Sequence, residues 1–261
     1  MNKLLFNEKL YIENVLQNHD KNNIDINLFQ LTQLITIYLY QEHGIDDKYQ
    51  LEKRVNAELE CFKFDGYYYE KHYKVIRQII QSVIKYDLKL KDVYKVPIYK
   101  DEYDIIKSCG DNKHQKLLIT LYVMARWNNN EFGWTSSRCK TQHIKKSANI
   151  NMTNRDFDLL FHDLLVNGYI KGTKKVGKFC YQMLNYNTDK NQPIVFEVDS
   201  FDNIGNKFIA SQANTHTTCY LCGKLIKKIS PRTKYCSKCA KEVIKSKNTE
   251  LQRHKREKMR N

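Results

Sequence analysis

The chain has 261 residues, of which 41% are hydrophobic and 12% aromatic, and it carries a formal net charge of +15. That is enough apolar material for one large core or two smaller ones, which argues against wholesale disorder. Met1 to Leu10 is interrupted by Asn7, Glu8 and Lys9 and so has no signal-peptide apolar run. The longest apolar stretch, Leu28 to Tyr40, is broken by Gln30, Thr32, Gln33 and Thr36, too polar to span a bilayer. The expectation is a soluble, cytoplasmic chain with no membrane partner.

Charge is unevenly distributed. Residues 1–108 hold 16 Lys/Arg against 17 Asp/Glu, whereas residues 206–261 hold 15 against 3. Such asymmetry points to a polyanionic partner for the C-terminal half, with a tail kept basic for solubility as the plainer reading.

Residues 1–96 read as an all-α bundle. Asp25 or Asn27 suits a cap for a helix carrying Leu28, Leu31, Leu34, Ile35, Tyr38 and Leu39, which Gly44 stops. A second helix runs from about Asp47 to Phe62 on Leu51, Val55 and Leu59, and a third from about Tyr67 to Leu90. Pro97 marks a boundary.

Residues 97–190 change character. Asp101 to Ser108 reads as a short helix and Lys113 to Trp127 as an amphipathic one, followed by a polar loop to Gly133. Ser136 or Ser137 opens a further helix to about Ser147. Thr153 and Asp156 then have capping-box spacing for a helix on Phe157, Leu160, Phe161, Leu164 and Leu165. Tyr169 to Thr173 and Phe179 to Leu184 read as strands about Lys174, Lys175 and Gly177. Residues 191–218 read as a strand, Pro193 to Val198, and a polar linker around Ser211 to Thr218.

The sharpest motif follows. Cys219-Tyr-Leu-Cys222-Gly is separated by thirteen residues, Gly223 to Tyr235, from Cys236-Ser-Lys-Cys239. Each C-x-x-C lets two sulfurs reach one ion from a tight turn, so Cys219, Cys222, Cys236 and Cys239 are assigned to one structural Zn2+. A closed four-sulfur site leaves no open position for water, which speaks against metal catalysis. Leu225 to Ile229 and Thr233 to Tyr235 are expected to pair as a hairpin around Pro231. His216, three residues before Cys219, reads as a linker residue. Cys61, Cys109, Cys139 and Cys180 read as buried small hydrophobes. From Cys239 the chain runs without Gly or Pro to Asn261, which favours a basic helix.

The fold class is therefore mainly α: a helical bundle (1–96), an α+β domain (97–190), a strand and linker (191–218) and a zinc module with a basic helical tail (219–261). Three helices and a basic hairpin after Leu165-Val166-Asn167-Gly168-Tyr169-Ile170 resemble the winged-helix superfamily. A knuckle, a hairpin and a helix bearing the second Cys pair resemble treble-clef zinc fingers. The ligand spacing equals that of the first zinc module of nuclear receptors, whose second module is missing here. The whole layout is similar to DNA-binding proteins of phages and mobile elements. That resemblance implies a non-enzymatic nucleic-acid-binding protein acting in transcription regulation or replication, with DNA ahead of RNA as partner.

The residues expected to meet nucleic acid are Lys171, Lys174, Lys175 and Lys178 of the wing, Lys227, Lys228 and Arg232 of the zinc module, and Lys245, Lys247, Arg253, Lys255, Arg256, Lys258 and Arg260 of the tail. Asp156, Asp158 and Asp163 on the third helix of the winged-helix-like domain would repel phosphate, which leaves that domain either to bind backbone phosphate without reading sequence or to serve as a protein contact. The alternative is an adaptor that binds a host protein through the bundle and the zinc module. A nuclease or recombination enzyme is disfavoured, because no catalytic His/Asp/Asn cluster accompanies the four Cys.

Overall fold

The computed structural model describes residues 4–19, 24–64, 67–128, 132–133, 141–175, 178–184, 192–212 and 216–258. Among these the chain is mainly helical with three small antiparallel sheets, and it divides into two units, Met1–Lys95 and Val96–Asn261.

The first unit contains four helices, α1 (Glu8–Asn18), α2 (Leu28–Glu42), α3 (Lys48–Cys61) and α4 (Tyr69–Tyr86). Asn7, Asn27 and Asp47 cap the first three, each side chain accepting a backbone N–H three residues on. Ile12, Leu31, Ile35, Leu51, Val55, Leu59 and Ile76 form the core, so apolar periodicity and burial coincide. Glu52 accepts two bonds from Arg77 Nε, at 2.8 and 3.0 Å, and a third from the Tyr69 hydroxyl, fastening α3 to α4. The sequence gives α1 no signal beyond general helicity, because it buries only Ile12 and Val15 among its apolar residues.

The second unit opens with β1 (Val96–Tyr99), which contains Pro97 and pairs antiparallel with β5 (Ile194–Val198). Pro97 was expected only to punctuate. A two-stranded sheet is all edge, so a strand there tolerates the missing N–H. α5 (Lys100–Ser108) follows, and then α6 (Asn112–Trp127), which is buried from Leu117 to Ala125 and forms the axis of the unit. In its last turn, Arg126 of α6 pairs with Glu102 of α5, whose side chain is fully buried. The Glu102 carboxylate also accepts the Tyr99 N–H at 3.1 Å.

Next come β2 (Phe132–Gly133), α7 (Thr141–Ala148), α8 (Asn154–Val166), β3 (Ile170–Lys175) and β4 (Lys178–Met183), with sheet order β2-β4-β3. Thr153 caps α8, its hydroxyl accepting the Asp156 N–H. The expected caps Ser136 and Ser137 and the expected turn residue Gly177 lie outside the described residues. Lys145 donates to the Met152 carbonyl and to Asn154 Oδ1, so it closes the α7–α8 corner.

The sequence reading places a polar linker around Ser211 to Thr218 and assigns no element between Val198 and Ser211, where Ile204–Gln212 form α9, which lies against α6. Ile204 and Phe208, one turn apart, are fully buried. Phe208 meets Tyr103 and Phe196 edge-on, with ring centroids 5.1 and 5.8 Å away. Gly205 sits so close that a Cβ there would come within 2.2 Å of the Ala148 carbonyl oxygen. Cys109 is buried as expected, but Cys61 is exposed at the end of α3.

Candidate metal centre

After α9 come β6 (His216–Thr218), β7 (Leu225–Lys227) and α10 (Ser237–Lys258). β6 and β7 pair antiparallel, from His216↔Lys227 to Thr218↔Leu225, so the first Cys pair sits in the turn between them. This replaces the expected hairpin of Leu225–Ile229 with Thr233–Tyr235. The knuckle itself sets the pairing: Cys219 N–H donates to the Lys224 carbonyl, and Gly223 N–H to the Cys219 carbonyl, both at 2.8 Å. Gly223 has φ +64°, a conformation that glycine adopts without Cβ strain. The Thr233–Tyr235 segment meets the knuckle where Tyr220 N–H donates to the Lys234 carbonyl at 2.8 Å. Ser230 and Thr233 close a turn around Pro231.

Cys236 and Cys239 flank the first turn of α10, and Ala240 N–H donates back to the Cys236 carbonyl. The thiol sulfurs of Cys219, Cys222, Cys236 and Cys239 all lie within 4.8 Å of one another. Cys219, Cys236 and Cys239 are buried and Cys222 is exposed. Backbone N–H groups point at the sulfurs: Cys236 N–H donates to Cys219 Sγ at 3.2 Å, and Cys239 N–H to Cys236 Sγ at 3.5 Å. Four sulfurs on a tetrahedral zinc ion, with bonds of about 2.3 Å, stand about 3.8 Å apart. The Cys222 and Cys236 sulfurs are separated by 3.8 Å. The four residues therefore fit a metal ion held by thiolates. Among the described residues, His216 is outside this cluster.

The electrostatics favour a cation. Burial pushes the Cys219 thiol up, but the N–H groups of Cys222, Cys236 and Leu221 outweigh it and hold the thiol at about 6. The Cys239 N–H lowers Cys236 in the same way. Cys239 is pushed far up, chiefly by its hydrogen bond to Cys236, because neighbouring thiols resist losing all their protons together. A divalent ion among them would remove that resistance.

The remaining expected residues scatter over the second unit. Lys171 is exposed on β3, and Lys174, Lys175 and Lys178 stand at the turn end of the β3–β4 ladder. Lys227, Lys228 and Arg232 are exposed around the cysteine cluster, and Lys245 and Lys247 along α10. Arg253, Lys255, Arg256 and Lys258 belong to the later turns of α10, while Arg260 lies outside the described residues. On α8, Asp156, Asp158 and Asp163 are exposed, and Asp163 lies 3.5 Å from His114.

Sequence reasoning missed how the module is seated. Asn206 of α9 donates to the Gly223 carbonyl at 2.9 Å, and the Asn203 side chain fills the space a Cβ on Gly223 would need. Asn203 in turn accepts from Asn149 Nδ2 at 2.8 Å. The available signal was the Ile204, Phe208, Ile209 spacing behind Asn203. No family model, curated protein or solved structure matches this chain. Among the described residues no helix is long and apolar enough to cross a membrane.

Proposed function

We propose that the protein binds nucleic acid, DNA first, as a non-enzymatic factor in transcription regulation or replication of a phage or mobile element. In this reading the four thiolates hold one structural Zn2+, whose part is to lock the knuckle to the first turn of α10. The observation that carries the reading is α10 itself. It has 22 residues with eight Lys/Arg against three Glu, and two of the four thiols flank its first turn, Cys236 just before it and Cys239 within it. At 1.5 Å per residue it reaches about 33 Å, a length over which a duplex presents many phosphates. Lys238, Lys241 and Lys245, at three- and four-residue spacing, form one exposed stripe.

The order α6-β2-α7-α8-β3-β4 with sheet order β2-β4-β3 supports the winged-helix reading of the preceding domain. Its part is then to contact phosphate through the wing lysines, since the exposed face of α8 is acidic. Titration of the full chain against labelled duplex, single-stranded DNA and RNA tests the proposal. Affinity should fall log-linearly as salt rises. Negligible binding to all three at low salt would refute it.

A further inference from the structure

Tyr220 is 81% exposed although it directly follows the buried ligand candidate Cys219. Its ring stands edge-on to that of Tyr235, the residue before Cys236, with centroids 6.3 Å apart and planes at 87°. The rings are held in place from both sides. Each is one residue from a cysteine of the cluster, and Tyr220 N–H is bonded to the carbonyl of Lys234. Beside them is an open cleft of about 530 Å3, lined by Thr217, Thr218, Tyr220, Thr233, Lys234 and Tyr235. Its walls thus offer two aromatic rings, three hydroxyls besides those of the tyrosines, and one ammonium. Along the chain on either side of these residues the charge has one sign: no Asp or Glu occurs from Asn203 to Lys241.

A lone exposed tyrosine is ordinary. One fixed beside a polar cleft, within an acid-free basic segment, matches what unpaired nucleotides require: a ring face for the base, donors for its edges and cations for phosphate. A duplex keeps its base faces stacked and cannot use the ring. We infer that the cysteine module carries a stacking site in which Tyr220, backed by Tyr235, takes a base of single-stranded nucleic acid. This rests on the nucleic-acid reading above and narrows it. α10 supplies phosphate contacts to any strand, whereas the Tyr220 cleft selects strands with free bases.

The test compares wild type, Tyr220→Ala and Tyr220→Trp, all full length and metal-loaded, against an oligothymidylate and a duplex of equal length. Tyr220→Ala should weaken single-strand binding about tenfold, leave duplex binding unchanged and keep the same salt slope, while Tyr220→Trp restores affinity. Equal losses on both substrates, or no loss on either, would overturn the stacking site while leaving nucleic-acid binding standing. Failure of the wild type to bind either would overturn both. A 2-aminopurine placed in the oligonucleotide gives a readout on the wild type alone. Its fluorescence should be quenched on binding, and quenching that persists unchanged in Tyr220→Phe but is absent in Tyr220→Ala supports the site. Absence of quenching with the wild type, scanned along the oligonucleotide, counts against it.

Discussion

Asn206 Nδ2 donates to the carbonyl oxygen of Gly223 at 2.9 Å, joining α9 to the turn that carries Cys219 and Cys222. Asn206 is buried, so this bond is shielded from water. The cysteine module is therefore seated on a packed helix. Asn206→Ala is expected to cost about 1–2 kcal/mol and to raise amide exchange in β6 and β7. Gly223→Ala should cost more, because its Cβ would stand 1.8 Å from the Asn203 amide nitrogen on a backbone at φ +64°. Unchanged exchange in both variants would mean that α9 does not support the knuckle.

Metal content follows from the thiol geometry. The purified protein is expected to hold about one equivalent of zinc. Chelation should then release the β6–β7 turn and the start of α10, because so small a module has little other core, while α1 to α4 stay protected. Hydrogen exchange with and without a chelator reads this out. Zinc below half an equivalent, with all four thiols alkylatable, would contradict the assignment.

The Glu102–Arg126 pair is a point of high sensitivity. Glu102 is fully buried and also accepts the Tyr99 N–H. Glu102→Gln removes the buried carboxylate charge that faces the Arg126 guanidinium and should destabilise the second unit by about 3–5 kcal/mol. Replacing both residues with apolar ones of similar size should restore much of the loss. Trp127, packed at 5.3 Å against Phe201, provides a fluorescence probe of that unfolding.

Asp111 supplies a pH-dependent contribution. Its carboxylate caps α6, accepting the N–H groups of Lys113 and His114 at 2.8 and 3.0 Å. Partial burial pushes its carboxyl up, but these bonds prevail and lower it below the usual 3.8. A group lowered by folding stabilises the fold fully above its unfolded value, and that contribution fades as pH falls through the folded value. Asp111→Ala should cost about 1 kcal/mol at neutral pH. The gap between variant and wild type should close in acid below the usual 3.8. A gap that is constant down to pH 2, a value on the order of the lowest carboxyl pKa values, would contradict this account.

How legible the molecule is in its sequence depended on range. Apolar residues at helical spacing marked α2, α3, α4, α6 and α8, because a periodic stripe reports burial directly. The cysteine spacing marked the cluster, since two C-x-x-C turns carry their own local geometry. α9 was hidden because a nine-residue helix has room for few apolar positions, and Ile204 and Phe208 stand among Asn203, Asn206, Lys207 and Ser211. The partner of β7 was hidden for a different reason. Both His216–Thr218 and Thr233–Tyr235 are short and β-compatible, and the choice is made by backbone bonds around Cys219 and Gly223.

The central claim is that a metal-anchored basic helix binds nucleic acid through its phosphates. Its most direct test is the salt dependence of duplex affinity for wild type beside Lys241→Glu/Lys245→Glu, two exposed positions on one face of α10. Loss of two phosphate contacts should weaken binding at low salt and flatten the slope of log K against log salt by about 2. Unchanged affinity and slope in a variant that keeps its metal would contradict the claim.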